Sequence, residues 1–159
     1  MQLDEALGTI ADARKRLAQL AGRIVASARY QEGEAPAESA DALITEAGQL
    51  MDRIEDLAYR INLTNSLNAL PDGRTLTQAL AHRDMLGTRH KLLQEAADAA
   101  SGEGGSRGFY ARRARSELVE KTDLDVAALR STATAVAVER RELDLQIQRA
   151  GMTTELIET

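Results

Sequence analysis

The 159-residue sequence contains no cysteine and no tryptophan. Without cysteine there is no disulfide framework, no thiol nucleophile and no zinc site built on thiolates. Aromatic residues make up 3% of the chain, so a core must be assembled from Leu, Ile, Val and Ala. Only 2 prolines are present, which suits long uninterrupted helices and argues against a sandwich or barrel with its many turns. No apolar run approaches the roughly 18 residues of a membrane span. The start, MQLDEALGTI, lacks the basic residues and apolar stretch of a secretory leader. These absences lead us to expect a cytoplasmic protein that does not enter a membrane.

What remains is helix-forming. Apolar residues make up 43% and charged residues 28%, with a net charge of −5. That charge offers no global attraction to nucleic acid or anionic lipid. It is unevenly spread. From Glu32 to Asp56 eight acids face one base, Arg53, whereas from Ser101 to Glu117 four arginines face two acids. A length of 159 residues fits a single domain with a real core.

Apolar spacing predicts four amphipathic helices, over about 3–30, 40–68, 75–100 and 124–150. In the first, Leu3, Leu7, Ile10, Leu17, Ala21, Ile24 and Ala28 recur in alternating steps of three and four, with Arg14 at the remaining place. Leu43, Ala47, Leu50, Ile54, Leu57, Ile61 and Thr64 form the second seam. Leu76, Ala79, Leu80, Leu86, Leu93 and Ala97 make the third, with Arg83 and His90 at seam places, and it is the least clean of the four. Val126, Leu129, Ala133, Val136, Leu143 and Ile147 make the last, with Arg140 interrupting. Such seams predict an all-α, antiparallel four-helix bundle.

Boundaries have local causes. Ser39 or Asp41 can cap the second helix, and Asp123 or Asp125 the fourth. Pro71-Asp72-Gly73 is a turn, since Pro presets one backbone angle and Gly accepts the left-handed one. Thr75 and Gln78 have the spacing of a capping box. Gly151 is read as a C-cap. The glycines of SGEGGSRG end the third helix and open a long basic loop over 101–122. Within it, 116–121 is equally readable as a short strand or a helical turn.

Several motifs resemble those of a bacterial family known as septicolysin-like proteins. They are Arg60-Ile61-Asn62-Leu63-Thr64-Asn65, Asp72-Gly73-Arg74-Thr75-Leu76-Thr77, Ala79-Leu80-Ala81-His82-Arg83-Asp84 and Val25-Ala26-Ser27-Ala28-Arg29-Tyr30-Gln31-Glu32-Gly33-Glu34. Arg115-Ser116-Glu117 and Asp125-Val126-Ala127-Ala128-Leu129 are similar too. The resemblance spans nearly the whole chain. It implies a small helical bacterial protein and brings no biochemical activity. The name implies kinship with a pore-forming cytolysin, but a short helical chain lacks the strand-rich, secreted build of large pore-formers, so a lytic role ranks lowest.

No motif specifies catalysis. There is no phosphate-binding loop, no nucleophile elbow and no Glu-x-x-His pair of a di-iron bundle. His82 and His90, the two histidines, stand two helical turns apart, too far for paired helical ligands. No metal or cofactor is expected. The sequence supports three functional readings. The favoured one is a non-enzymatic structural or interaction protein, working as a homo-oligomeric bundle. A second is a ligand-binding or enzymatic site at the corner of helices two and three, built from Asn62, Asn65, Arg74 and Arg83. Buried amides that fix helix register are the simpler account of Asn62 and Asn65. The third is a basic loop with Arg107, Arg112, Arg113 and Arg115 beside Phe109 and Tyr110, chemistry that stacks bases and holds phosphate. Because the chain is acidic overall, a contact with a protein partner or the acidic helix of another subunit is favoured over nucleic acid, with a pure linker as the close alternative. A central anion site from Arg14, Arg83, His90 and Arg140 is weighed against solvated heads on buried stems, and against pairing with Asp52, Glu55, Asp84 or Asp144.

Overall fold

The computed structural model describes residues 1–102 and 121–158. The fold is all-α and of the helical-bundle class, with four long helices among the described residues: α1 (Leu3–Ser27), α2 (Ala40–Leu67), α3 (Leu76–Ser101) and α4 (Val126–Thr153). The described residues fall into two compact units. One comprises Met1–Thr77 with Gln148–Thr159, the other Gln78–Ile147.

In the first unit α1 and α2 run antiparallel. Arg16 meets Glu46 and Arg23 meets Glu38, so one number rises as the other falls. Leu20, Leu43 and Ala47 form the buried cluster between them, flanked by Leu17, Ile24 and Leu50. At the start of α1 the Glu5 carboxylate accepts the Gln2 N–H at 2.9 Å, and Asp4 and Glu5 place negative charge on the positive helix end. Ser39 caps α2 by accepting the Ala42 N–H at 3.3 Å.

The α2 seam is as the sequence predicts, with Leu43, Ala47, Ile61 and Thr64 buried. The α1 seam is displaced. Leu7 is 48% exposed, and Arg14, Ala21 and Ala28 are exposed as well. The buried side uses Ala6, Ala13, Leu20 and Ser27 in their place, completely or in part. Both registers share Leu3, Ile10, Leu17 and Ile24. They differ in whether a step of three or of four comes first, and packing on α2 selects the former.

The turn after α2 forms at Pro71-Asp72-Gly73. The Gly73 N–H donates to the Leu70 carbonyl at 2.9 Å, and Gly73 has φ +86°, a conformation that a side chain would strain. Leu70 donates to the Arg74 carbonyl at 2.8 Å and Leu76 to the Asn68 carbonyl at 2.9 Å. Leu70 and Leu76 are buried beneath this knot.

In the second unit α3 and α4 are antiparallel, as the pairs His82–Glu139 and His90–Ala133 require. Ala79, Leu86 and Ala97 are buried on α3, and Ala133, Val136 and Leu143 on α4. Asp125 caps α4, accepting the Ala128 N–H at 2.9 Å. Gly102, at φ +76°, ends α3. Gly151 is not a C-cap. It lies inside α4 and is buried, 3.8 Å from the Asp4 Cβ if given a Cβ of its own, and α4 continues to Thr153. Among the described residues no helix is long and apolar enough to cross a membrane.

Candidate functional site

Among the described residues Thr64 is the one polar side chain buried at 0% exposure, and its hydroxyl both donates and accepts. It donates to the Arg60 carbonyl at 2.7 Å and accepts the Ile157 N–H at 3.0 Å. Arg60 Nε in turn donates to the Ile157 carbonyl at 3.0 Å. On the other side, Leu3 donates to the Thr154 carbonyl and Leu156 to the Met1 carbonyl, both at 2.9 Å. Leu156 is buried. Residues 154–157 are therefore an extended strap that ties the start of α1 to the end of α2. Sequence reasoning placed Thr64 on the seam but missed the strap, because its partners lie more than 90 positions away. The one local signal was an apolar pair, Leu156-Ile157, beyond the last helix.

The corner residues divide. Asn62 is exposed and Asn65 half-buried, both on α2 in the first unit. Arg74 in that unit forms hydrogen bonds to Asp72, its Nε at 2.8 Å and its N–H at 3.0 Å. These bonds hold the Asp72 carboxyl below the usual carboxylate range, the Arg74 side chain contributing most. Arg83 belongs to the second unit. It donates to Asp84 at 2.8 Å and lies 3.8 Å from Asp144. Acid pairing thus accounts for Arg74 and Arg83.

The polar seam residues of the second unit are also tied down. His90 Nδ1 donates to the Ala133 carbonyl at 2.9 Å. His82 Nε2 meets Glu139 at 3.2 Å. The Arg140 guanidinium lies along α3, with its Cζ 3.5 Å from where a Cβ on Gly87 would stand. Arg14 stands on the exposed side of α1 in the first unit.

A shallow groove on α1 is lined by Asp12, Lys15, Arg16, Gln19, Leu20 and Arg23. Arg16 and Arg23 already carry Glu46 and Glu38 as counter-charges. The Arg23 bond at 2.9 Å holds the Glu38 carboxyl below its ordinary range. Among the described residues no group of three or more His, Asp or Glu side chains is placed to hold a metal ion. Arg107, Arg112, Arg113 and Arg115, and the segment 116–120, lie outside the described residues.

The feature with no internal explanation is apolar. On α2, Ile44 and Met51 are 54% and 50% exposed, on α3, Met85 and Leu92 are 61% and 64% exposed, and on α4, Val138 and Leu145 are 53% and 47% exposed. Each pair is seven residues apart, so each forms a stripe along one helix face. Met85 and Leu92 lie on the side of α3 away from Ala79, Leu86 and Ala97.

The model of a family of unknown function, DUF6847, matches residues 11–156. A solved structure is also similar, a functionally unknown conserved protein from Corynebacterium diphtheriae. It shares 36% identity over 99% of each chain, with a TM-score of 0.86. No curated protein matches the chain.

Proposed function

The chain belongs to the family of unknown function DUF6847, and on that premise we propose a non-enzymatic interaction protein that works as a homo-oligomer in the cytoplasm. The exposed, seven-residue-spaced apolar stripes on α3 and α4 carry this reading. Burying a side chain such as Leu92 is worth about 1.5–3 kcal/mol, and a monomer leaves most of that unrealised. Contiguous apolar stripes with polar flanks mark surfaces that meet other proteins. By contrast, the polar groups from which a small-molecule site would be built have protein partners: Thr64, Arg74, Arg83 and His90 are all engaged. The kinship with septicolysin-like proteins stands as a proposal resting on the Arg60–Asn65 and Asp72–Thr77 motifs, and it adds no activity.

Native mass spectrometry of protein purified from its own host tests the reading. We expect a clean multiple of 17.2 kDa that dissociates on dilution. A monomer across the full concentration range rejects the proposal. A persistent added mass on every subunit would instead identify a bound small molecule.

A further inference from the structure

We infer that the outer face of α3 is a self-recognition surface, on which a second copy of the chain packs its own α3 antiparallel across a two-fold axis. This rests on the homo-oligomer reading and goes beyond it by naming the helix, the orientation and the register. The observations are the exposed stripe of Ala81, Met85, Thr88 and Leu92 and the charges beside it. Steps of four and three between these positions are those of a coiled-coil seam.

The charges select the pairing. In one antiparallel register Leu92 packs on the partner's Ala81 and Met85 on the partner's Thr88. Asp84 then faces the partner's Lys91, and the two-fold axis repeats each contact. Both residues are exposed, and the counter-charges they have in their own chain, Arg83 for Asp84 and Glu95 for Lys91, are surface pairs that cost little to share or exchange. On the opposite flank Arg89 faces the partner's His82, whose own chain already supplies Glu139 as a counter-charge. Sliding by one heptad repeat puts Asp84 against the partner's Asp98 and Lys91 against the partner's Lys91. A parallel pair stacks Glu95 on the partner's Glu95 within the seam. Like charges opposed at these places oppose association, so the first register stands. A single helix seam buries less than the roughly 1,200–2,000 Å² of stable complexes, so the pair is weak and grows with concentration.

The absence of native cysteine makes disulfide trapping clean. In the inferred register two Leu92 residues are about 16 Å apart along the axis at 1.5 Å per residue, beyond the roughly 7 Å limit between bridged Cα atoms. An oxidised mixture of Leu92→Cys and Ala81→Cys chains should therefore give linked dimers, and Leu92→Cys alone should not. Lys91→Glu should weaken association about tenfold, and adding Asp84→Lys should restore it. Both cysteine positions are exposed, and circular dichroism checks that the variants fold. Linkage by Leu92→Cys alone means a parallel pair and overturns the inference. If light scattering finds an oligomer but neither trap closes, the surface is wrong and the homo-oligomer reading survives. A monomer at every concentration with no trapping rejects both.

Discussion

Replacing Thr64 with Val keeps the shape of the buried side chain and removes only its hydroxyl. The Arg60 carbonyl keeps its helical hydrogen bond and loses a secondary donor, a small effect. The Ile157 N–H, at 3.0 Å from the hydroxyl, loses its acceptor. Leaving a shielded N–H unpaired costs about 1–3 kcal/mol. The chain could avoid that by releasing the strap to water, but release re-exposes Leu156, worth about 1.5–3 kcal/mol, and breaks the bonds to Leu3, Met1 and Arg60. Neither route is free, so Thr64→Val should cost about 1–3 kcal/mol, which lowers Tm by about 2–12 °C for a chain of this size. Thr64→Ser is the control. It loses a methyl group, at about 1 kcal/mol, and keeps the hydroxyl. The decisive assay is amide hydrogen exchange, read residue by residue. In the Val variant Ile157 should exchange faster and Leu156 should follow, while in the Ser variant both stay protected. If Thr64→Val is as stable as the parent and Ile157 keeps its protection, the strap is not held by Thr64 and the argument fails.

Three further outcomes follow from the packing. Leu20→Ala should cost about 2–5 kcal/mol, because Leu20 is 0% exposed, whereas Leu7→Ala should cost under about 1 kcal/mol; equal losses in denaturant melts would restore the displaced α1 seam. Gly8, Gly22 and Gly48 have nothing within 4 Å of an added Cβ, so each change to Ala should stabilise by about 0.5–1 kcal/mol. A loss of stability at any of them would reveal a close helix approach. Glu38 and Asp72 have folded pKa values below their ordinary ones. Their contribution is present above the unfolded carboxylate range near pH 4, and it is lost as pH falls through the lower folded values. Both are exposed, so the acid-side decline is small, and Arg23→Met with Arg74→Met should flatten it.

The sequence carried helix number, most helix ends and most seams, because these depend on residues near one another; Gly151, expected as a cap, lies inside α4 instead. Ser39, Asp125, Gly73 and Gly102 act within four positions of themselves. The α1 seam was not decidable that way. Leu3, Ile10, Leu17 and Ile24 belong to both candidate registers. The alternatives set Leu7, Arg14, Ala21 and Ala28 against Ala6, Ala13, Leu20 and Ser27, which are nearly balanced in apolar content. The position of α2 decides between them, and position is not written in α1. The strap was illegible for a related reason, since Thr64 and Ile157 share no local pattern. The corner site drew together Asn62, Asn65, Arg74 and Arg83 by sequence proximity. The structure provides Arg74 and Arg83 with neighbouring acids, Asp72 and Asp84, one or two positions away.

The third helix shows how a flaw in a pattern becomes information. A helix that buries one face against a single partner concentrates its apolar residues on that face. On α3, Leu76, Ala79, Leu86 and Ala97 do so, yet Met85 and Leu92 fall on the opposite side and blur the periodicity. A random surface leucine needs no explanation. Two large apolar residues seven apart, joined by Ala81 and Thr88 into a heptad-spaced line and flanked by Asp84 and Lys91, are a second pattern overlaid on the first. One pattern faces the helices of the same chain, and the other is the line on which the proposed second copy would pack. α2 carries an exposed apolar pair of the same spacing, Ile44 and Met51 at 54% and 50%, but its charges are mostly of one sign, with Asp41, Glu46, Asp52, Glu55 and Asp56 against Arg53 and Arg60. Acidic surfaces on two copies repel, so self-association through α2 is disfavoured, while α3 presents both signs of charge in an order that reverses onto itself.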